Sequence, residues 1–86
     1  MGTARQRVDS LPEKLLQIRL ALGLSQAEML KRLDVEDMVV YNRISDYELG
    51  KREPPLKILL RYARVAGVSM EVLADDDLDL PKKLKR

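Results

Sequence analysis

Twice in the chain a glycine, an aliphatic residue and a serine stand in a row, as Gly23-Leu24-Ser25 and Gly67-Val68-Ser69. The glycine supplies the left-handed residue that ends a helix, the aliphatic residue clamps back onto its last turn, and the serine caps the next helix. A chain cut in this way folds as short helices meeting at corners. Helix one is expected to start at Ser10, because Ser10-Leu11-Pro12-Glu13 reads as an S-x-x-E capping box with proline in the first turn, where no backbone N–H is missed. Leu11, Leu15, Ile18 and Leu22 then recur at helical spacing, with Leu16 and Leu20 widening the stripe. Ser25-Gln26-Ala27-Glu28 is a second capping box, and Ala27, Leu30 and Leu33 are the expected inward face of helix two.

From Asp34 to Val40 acids mix with Val35, Met38, Val39 and Val40 in no regular period, which reads as a loop with room for a single helical turn. Val40, Ile44 and Tyr47 resume a helical period, so a short third helix is expected to end at Gly50. Its opposite side carries Asn42, Ser45 and Asp46, with Tyr41 and Arg43 at the margins. After the basic loop Lys51 to Glu53, Pro54-Pro55 leads into a fourth helix with apolar positions Leu56, Leu59, Leu60, Ala63 and Ala66. Ser69 caps a short fifth helix carrying Met70, Val72 and Leu73. The organisation expected is a flexible N-terminal arm over 1–9, one domain over 10–74 and a C-terminal tail over 75–86.

Eighty-six residues allow one small hydrophobic core. Aromatics make up 3% of the chain, all in Tyr41, Tyr47 and Tyr62, so that core must be aliphatic. With no Cys and no His, disulfide scaffolds, zinc fingers, thiol nucleophiles and imidazole bases are removed together. Asp75-Asp76-Asp77 offers carboxylates of the kind that bind magnesium, but a charge run of this sort is usually solvated, so neither an enzyme nor a cofactor is expected. No run approaches the ~18 apolar residues of a membrane span, and Met1 to Ser10 lacks the apolar stretch of a signal peptide. A cytoplasmic protein without a membrane partner is expected.

The net charge of +2 says little about partners, whereas its distribution says more. Residues 1–33 carry six basic and three acidic side chains, 34–50 one against five, and 51–66 five against one. Two basic blocks flank an acidic one, an arrangement compatible with backbone clamps around a less charged reading surface.

Gly23-Leu24-Ser25-Gln26-Ala27-Glu28 and the run from Ile44 through Ser45-Asp46-Tyr47-Glu48-Leu49-Gly50-Lys51-Arg52-Glu53 to Pro54 resemble the Cro and lambda-repressor type helix-turn-helix family, often called the Xre family. The resemblance extends from about Leu11 to Leu73 and takes in Leu59-Leu60-Arg61-Tyr62-Ala63 and the Ala66-Gly67-Val68-Ser69 corner. It implies an all-α, five-helix repressor-like domain and sequence-specific binding of double-stranded DNA, as a transcriptional regulator whose third helix enters the major groove while helix two crosses the backbone. The base contacts it implies are Tyr41, Asn42, Arg43 and Asp46. Asn42 suits adenine, and Asp46 either accepts from cytosine or pairs with Arg43. Phosphate contacts fall on Gln26, Ser45, Lys51 and Arg52, and Arg19 and Glu48 match a structural ion pair between helices one and three. Tyr47 and Tyr62 are expected to pack.

One departure stands out. Family members join helices two and three by a turn of about four residues, and this chain needs about four more within Asp34 to Val40. An acidic extension near DNA weakens binding unless it points away. Its apolar members are expected either to pack on the domain or to bind a partner, and the acidic loop, Met70 and the acid-then-base tail also suit an antitoxin-like module that binds a partner protein besides DNA. A homodimer is expected on two-fold related half-sites, paired through Met70, Val72, Leu73, Leu78, Leu80 and Leu84 unless these fold back onto helices one and four.

Overall fold

The computed structural model of the chain describes residues 10–39, 42–82 and 84. These residues form five α-helices and no strand: α1 (Leu11–Leu22), α2 (Gln26–Leu33), α3 (Asn42–Glu48), α4 (Leu56–Ala66) and α5 (Met70–Ala74). The expected all-α, five-helix architecture is the one observed. α1 packs against α3 and α5, α2 against α3 and α4, and α4 against α5. The arm expected over 1–9 lies outside the described residues, as do Val40 and Tyr41. No helix among the described residues is long and apolar enough to cross a membrane.

The helix stops follow the sequence punctuation. Gly23 takes φ +71°, and its N–H donates to Leu20 O while that of Leu24 donates to Arg19 O, both at 3.1 Å. Glycine alone adopts that backbone without a steric penalty. The same paired bonds close α3 at Gly50 and α4 at Gly67. The capping box of α2 is complete: Glu28 N–H donates to Ser25 Oγ at 3.1 Å, and Ser25 N–H to Glu28 Oε1 at 2.8 Å. Those bonds from Ser25 hold the Glu28 carboxyl below its ordinary pKa.

At α1 the expected capping box is not formed. Ser10 adopts a helical conformation and makes no cap with its side chain. Instead Asp76 Oδ1 accepts both the Ser10 N–H, at 3.0 Å, and its hydroxyl, at 2.7 Å. The Asp76 carboxylate, brought alongside by the chain after α5, thus takes the Ser10 N–H that a capping box would give to Glu13, in charge-assisted hydrogen bonds. Next to it Lys14 is 4% exposed, and its ammonium donates to Val72 O at 2.7 Å and Asp75 O at 2.9 Å, closing the C-terminus of α5. The residues after α5 continue along α1, where Leu80 and Leu84 pack partly against the core and face Gln17 and Ala21 across a shallow cavity. Much of the apolar surface that the homodimer expectation drew on is therefore covered within the domain.

The core is aliphatic, as composition required, built on Leu15, Ile18, Leu33, Val35, Ile44, Ile58 and Leu73 with Met29. Tyr47 and Tyr62 are buried in it, as expected for packing side chains. Three apolar expectations are corrected. Ala27 and Leu20 are exposed, and Leu56 is 72% exposed. The inward stripe of α2 runs through Met29, Leu30 and Leu33, and that of α4 through Ile58, Leu59, Tyr62, Ala63 and Ala66. In α4 these positions recur at i, i+1, i+4, i+5 and i+8, which turns Leu56, two places before Ile58, away from the core.

Candidate nucleic-acid interface

α3 is short, and its position is fixed by what lies beneath it. Ile44 and Tyr47 enter the core, and Glu48 turns toward the corner between α1 and α2. There the expected ion pair is formed bidentately: Arg19 Nε donates to Glu48 Oε2 at 2.6 Å and Nη2 to Oε1 at 3.1 Å. Arg19 Nη1 also donates to Leu24 O at 3.0 Å, and Gln26 Nε2 to Glu48 Oε1 at 3.2 Å. The Glu48 side chain is 4% exposed. Its hydrogen bonds raise the pKa of Arg19 above the ordinary value against the opposing effect of burial. The Glu48 carboxylate thus fastens the end of α3 to α1 and to the start of α2, and through Arg19 the pair reaches the corner backbone at Leu24 O.

The opposite side of α3 is polar and wetter. Asn42 is exposed, and Arg43, Ser45 and Asp46 are half-buried. Asp46 Oδ2 lies 3.5 Å from Arg43 Nη1 and 3.5 Å from Arg52 Nε. The backbone carbonyl of Asp46 accepts Lys51 N–H at 2.9 Å and Arg52 N–H at 3.4 Å, which folds the basic turn against the helix end. Lys51 and Arg52 are exposed there. Asn42, Arg43, Ser45, Asp46, Lys51 and Arg52 therefore belong to one helix and the turn that closes it. Tyr41 lies outside the described residues. Gln26 stands apart, at the start of α2, with one amide N–H given to Glu48 and a second left to donate elsewhere.

The described part of the segment after α2, residues 34–39, folds as a tight turn. Asp34 ends α2 in the left-handed conformation, at φ +60°, and Val35 is fully buried as its anchor. Met38 and Val39 N–H donate back to Val35 O at 2.9 and 3.1 Å. The acids face α4: Asp34 Oδ2 is 3.7 Å from Arg61 Nη1, and Glu36 and Asp37 share a cleft with Lys57 and Arg61. Glu36 and Asp37 also line a second cleft beside Arg43.

Sequence reasoning anticipated the Arg43 partner of Asp46 but missed Arg52, Gln26 on Glu48, and Lys14. The last had a signal, since Lys14 sits on the inward stripe three residues after Leu11 and four before Ile18. The carboxylates of the Asp75-Asp76-Asp77 run serve separate partners: Asp76 takes Ser10, and Asp75 Oδ1 accepts Asp77 N–H at 2.9 Å. Among the described residues no three His, Cys, Asp or Glu side chains converge where a metal ion would sit.

A sequence model of the family described as helix-turn-helix matches residues 15–73, most of the chain. No curated protein and no solved structure matches it.

Proposed function

The chain belongs to the helix-turn-helix family, of the Cro and lambda-repressor type, a family of DNA-binding regulators, and from that premise we propose that it is a cytoplasmic transcriptional repressor that reads the major groove with α3. The observation carrying this reading is the polar side of α3, which presents Asn42, Arg43 and Asp46 on a helix fastened from behind by Glu48, with Lys51 and Arg52 at its end. Asn42 and Arg43, with Tyr41, read base edges, and Gln26, Ser45, Lys51 and Arg52 hold phosphates. Asp46 is the remaining base-facing position.

Selection of bound sequences from a random duplex pool, followed by salt titration of the winner, tests the reading. A preferred sequence with steeply salt-dependent affinity is expected. Equal, weak affinity for selected and scrambled duplexes at moderate salt removes the sequence-specific claim. Within it, Asn42→Ala costs about 1 to 3 kcal/mol on the preferred site and relaxes one base position, whereas Lys51→Ala weakens all sequences alike and flattens the salt slope. Identical profiles from the two variants would abolish the division between reading and holding residues.

One such helix spans about one half-site, so the protein is proposed to bind two-fold related half-sites as a homodimer. Sedimentation of the full chain with duplexes carrying one or two half-sites gives the stoichiometry, and one protomer on each would reject it. A second reading, a module that binds a partner protein as well, has in its favour Met38, 44% exposed on the acidic turn beside Lys57 and Arg61. Pull-down of the full chain, with Met38→Glu as comparison, separates the two.

A further inference from the structure

Resting on the reading of α3 as the base-reading element, we infer that Asp46 is a specificity-determining residue that restrains the charge of its neighbours: by bridging Arg43 and Arg52 it weakens binding to arbitrary DNA more than binding to the preferred site. A single oxygen, Oδ2, stands 3.5 Å from a guanidinium nitrogen of each arginine. Arg43 comes from the first turn of α3 and Arg52 from the turn beyond it, so the carboxylate joins cations belonging to different segments. Its seat is built, because the Lys51 and Arg52 N–H groups both donate to the carbonyl of Asp46 itself. The bridge is also exchangeable. The side chains are 28% exposed for Asp46, 35% for Arg43 and 58% for Arg52, and contacts of this length and exposure are weak.

The two binding modes make different demands on such a bridge. Binding to arbitrary DNA rests on phosphates, so both arginines are drawn to the backbone and Asp46 is left as an unpaired negative charge facing a polyanion. At the preferred site Arg43 extends to a base edge, its planar fork still within reach of the carboxylate, and Arg52 alone goes to phosphate. The penalty is larger in the first mode. Specificity is a difference of affinities, and a repulsive element that acts mainly on the wrong partner raises it.

The test is Asp46→Asn in the full chain, which keeps the side-chain shape and the backbone carbonyl but removes the charge. Affinity for a scrambled duplex is expected to rise about tenfold at low salt and that for the selected duplex by about threefold or less, with the salt slope on scrambled DNA steeper by about one unit. In an Arg52→Gln background the same substitution should change the slope less, since one of the bridged cations is gone. That cycle also distinguishes release of a neighbour from a general change in the protein's charge. Unchanged scrambled affinity, or a loss confined to the selected duplex at a cytosine position, would overturn the inference and make Asp46 a base reader. If neither protein binds any duplex at low salt, the DNA reading falls and takes this inference with it.

Discussion

Glu48 and Asp46 stand two residues apart on α3, each bound to arginine, and their surroundings differ in every respect that sets the strength of an ion pair. Glu48 is almost wholly buried, bidentate at 2.6 and 3.1 Å, and further bonded to Gln26. Asp46 meets its two arginines at 3.5 Å with water at hand. A buried pair must be kept whole, since removal of one member strands the other, whereas an exposed pair contributes little and exchanges freely. The same chemistry thus serves rigidity on one side of a seven-residue helix and interchange on the other. The two tyrosines report on the two sides. Burial raises the pKa of both, helped at Tyr62 by the charge of Glu48 and opposed at Tyr47 by Arg43 and Arg52.

The largest effect expected from breaking this contrast is on the buried side. Glu48→Ala should destabilise the domain by about 3 to 5 kcal/mol, measured by urea unfolding, because Arg19 is left charged and without its carboxylate. Replacing both, as Arg19→Met with Glu48→Leu, should recover most of that loss. A loss below about 1 kcal/mol for Glu48→Ala would place the pair with surface contacts.

The tyrosines come next. Their folded pKa values lie above the ordinary value of about 10, so the stability they contribute is fully present below that pH and is lost as pH rises through the raised values. Tyrosinate absorbance and helical circular dichroism followed together should show Tyr62 ionising only as the helices melt. The Tyr62 hydroxyl is buried with no hydrogen-bond partner among the described residues. Tyr62→Phe should therefore raise stability by about 1 kcal/mol and move the alkaline loss upward. Destabilisation by this substitution would mean that the hydroxyl is satisfied. The smallest effect is at the exposed bridge: Asp46→Asn should change unfolding stability by less than about 1 kcal/mol, and a loss as large as that of Glu48→Ala would erase the contrast.

Much of this was legible along the chain because helix ends are local chemistry. Gly23, Gly50 and Gly67 stop helices and Ser25 caps one through groups within a few residues of each other. The Arg19–Glu48 pair was legible only through family resemblance, since nothing local joins residues 29 positions apart. Ser10 shows the limit. Its local motif was complete, yet a carboxylate 66 positions away took the donors. Leu56 and Ala27 were misplaced for another reason: a short helix offers several near-equivalent apolar stripes, and which one turns inward is settled by the neighbouring helices. On the candidate interface, the types of side chain were readable, but the sharing of Asp46 between Arg43 and Arg52 depends on how the turn after α3 folds back.

The seat of Lys14 bears on how the domain is made. Translation delivers α1 first, while the carbonyls that receive its ammonium, those of Val72 and Asp75, follow 58 and 61 residues later. Until α5 has left the ribosome, burying the inward stripe of α1 would take that ammonium out of water with no acceptor, at a cost comparable to that of a lost charged hydrogen bond. A nascent chain lacking α5 is accordingly expected to remain open and exposed to proteases, and folding should come in one late step. An arrest series probed by limited proteolysis would see protection arise abruptly once Asp75 emerges.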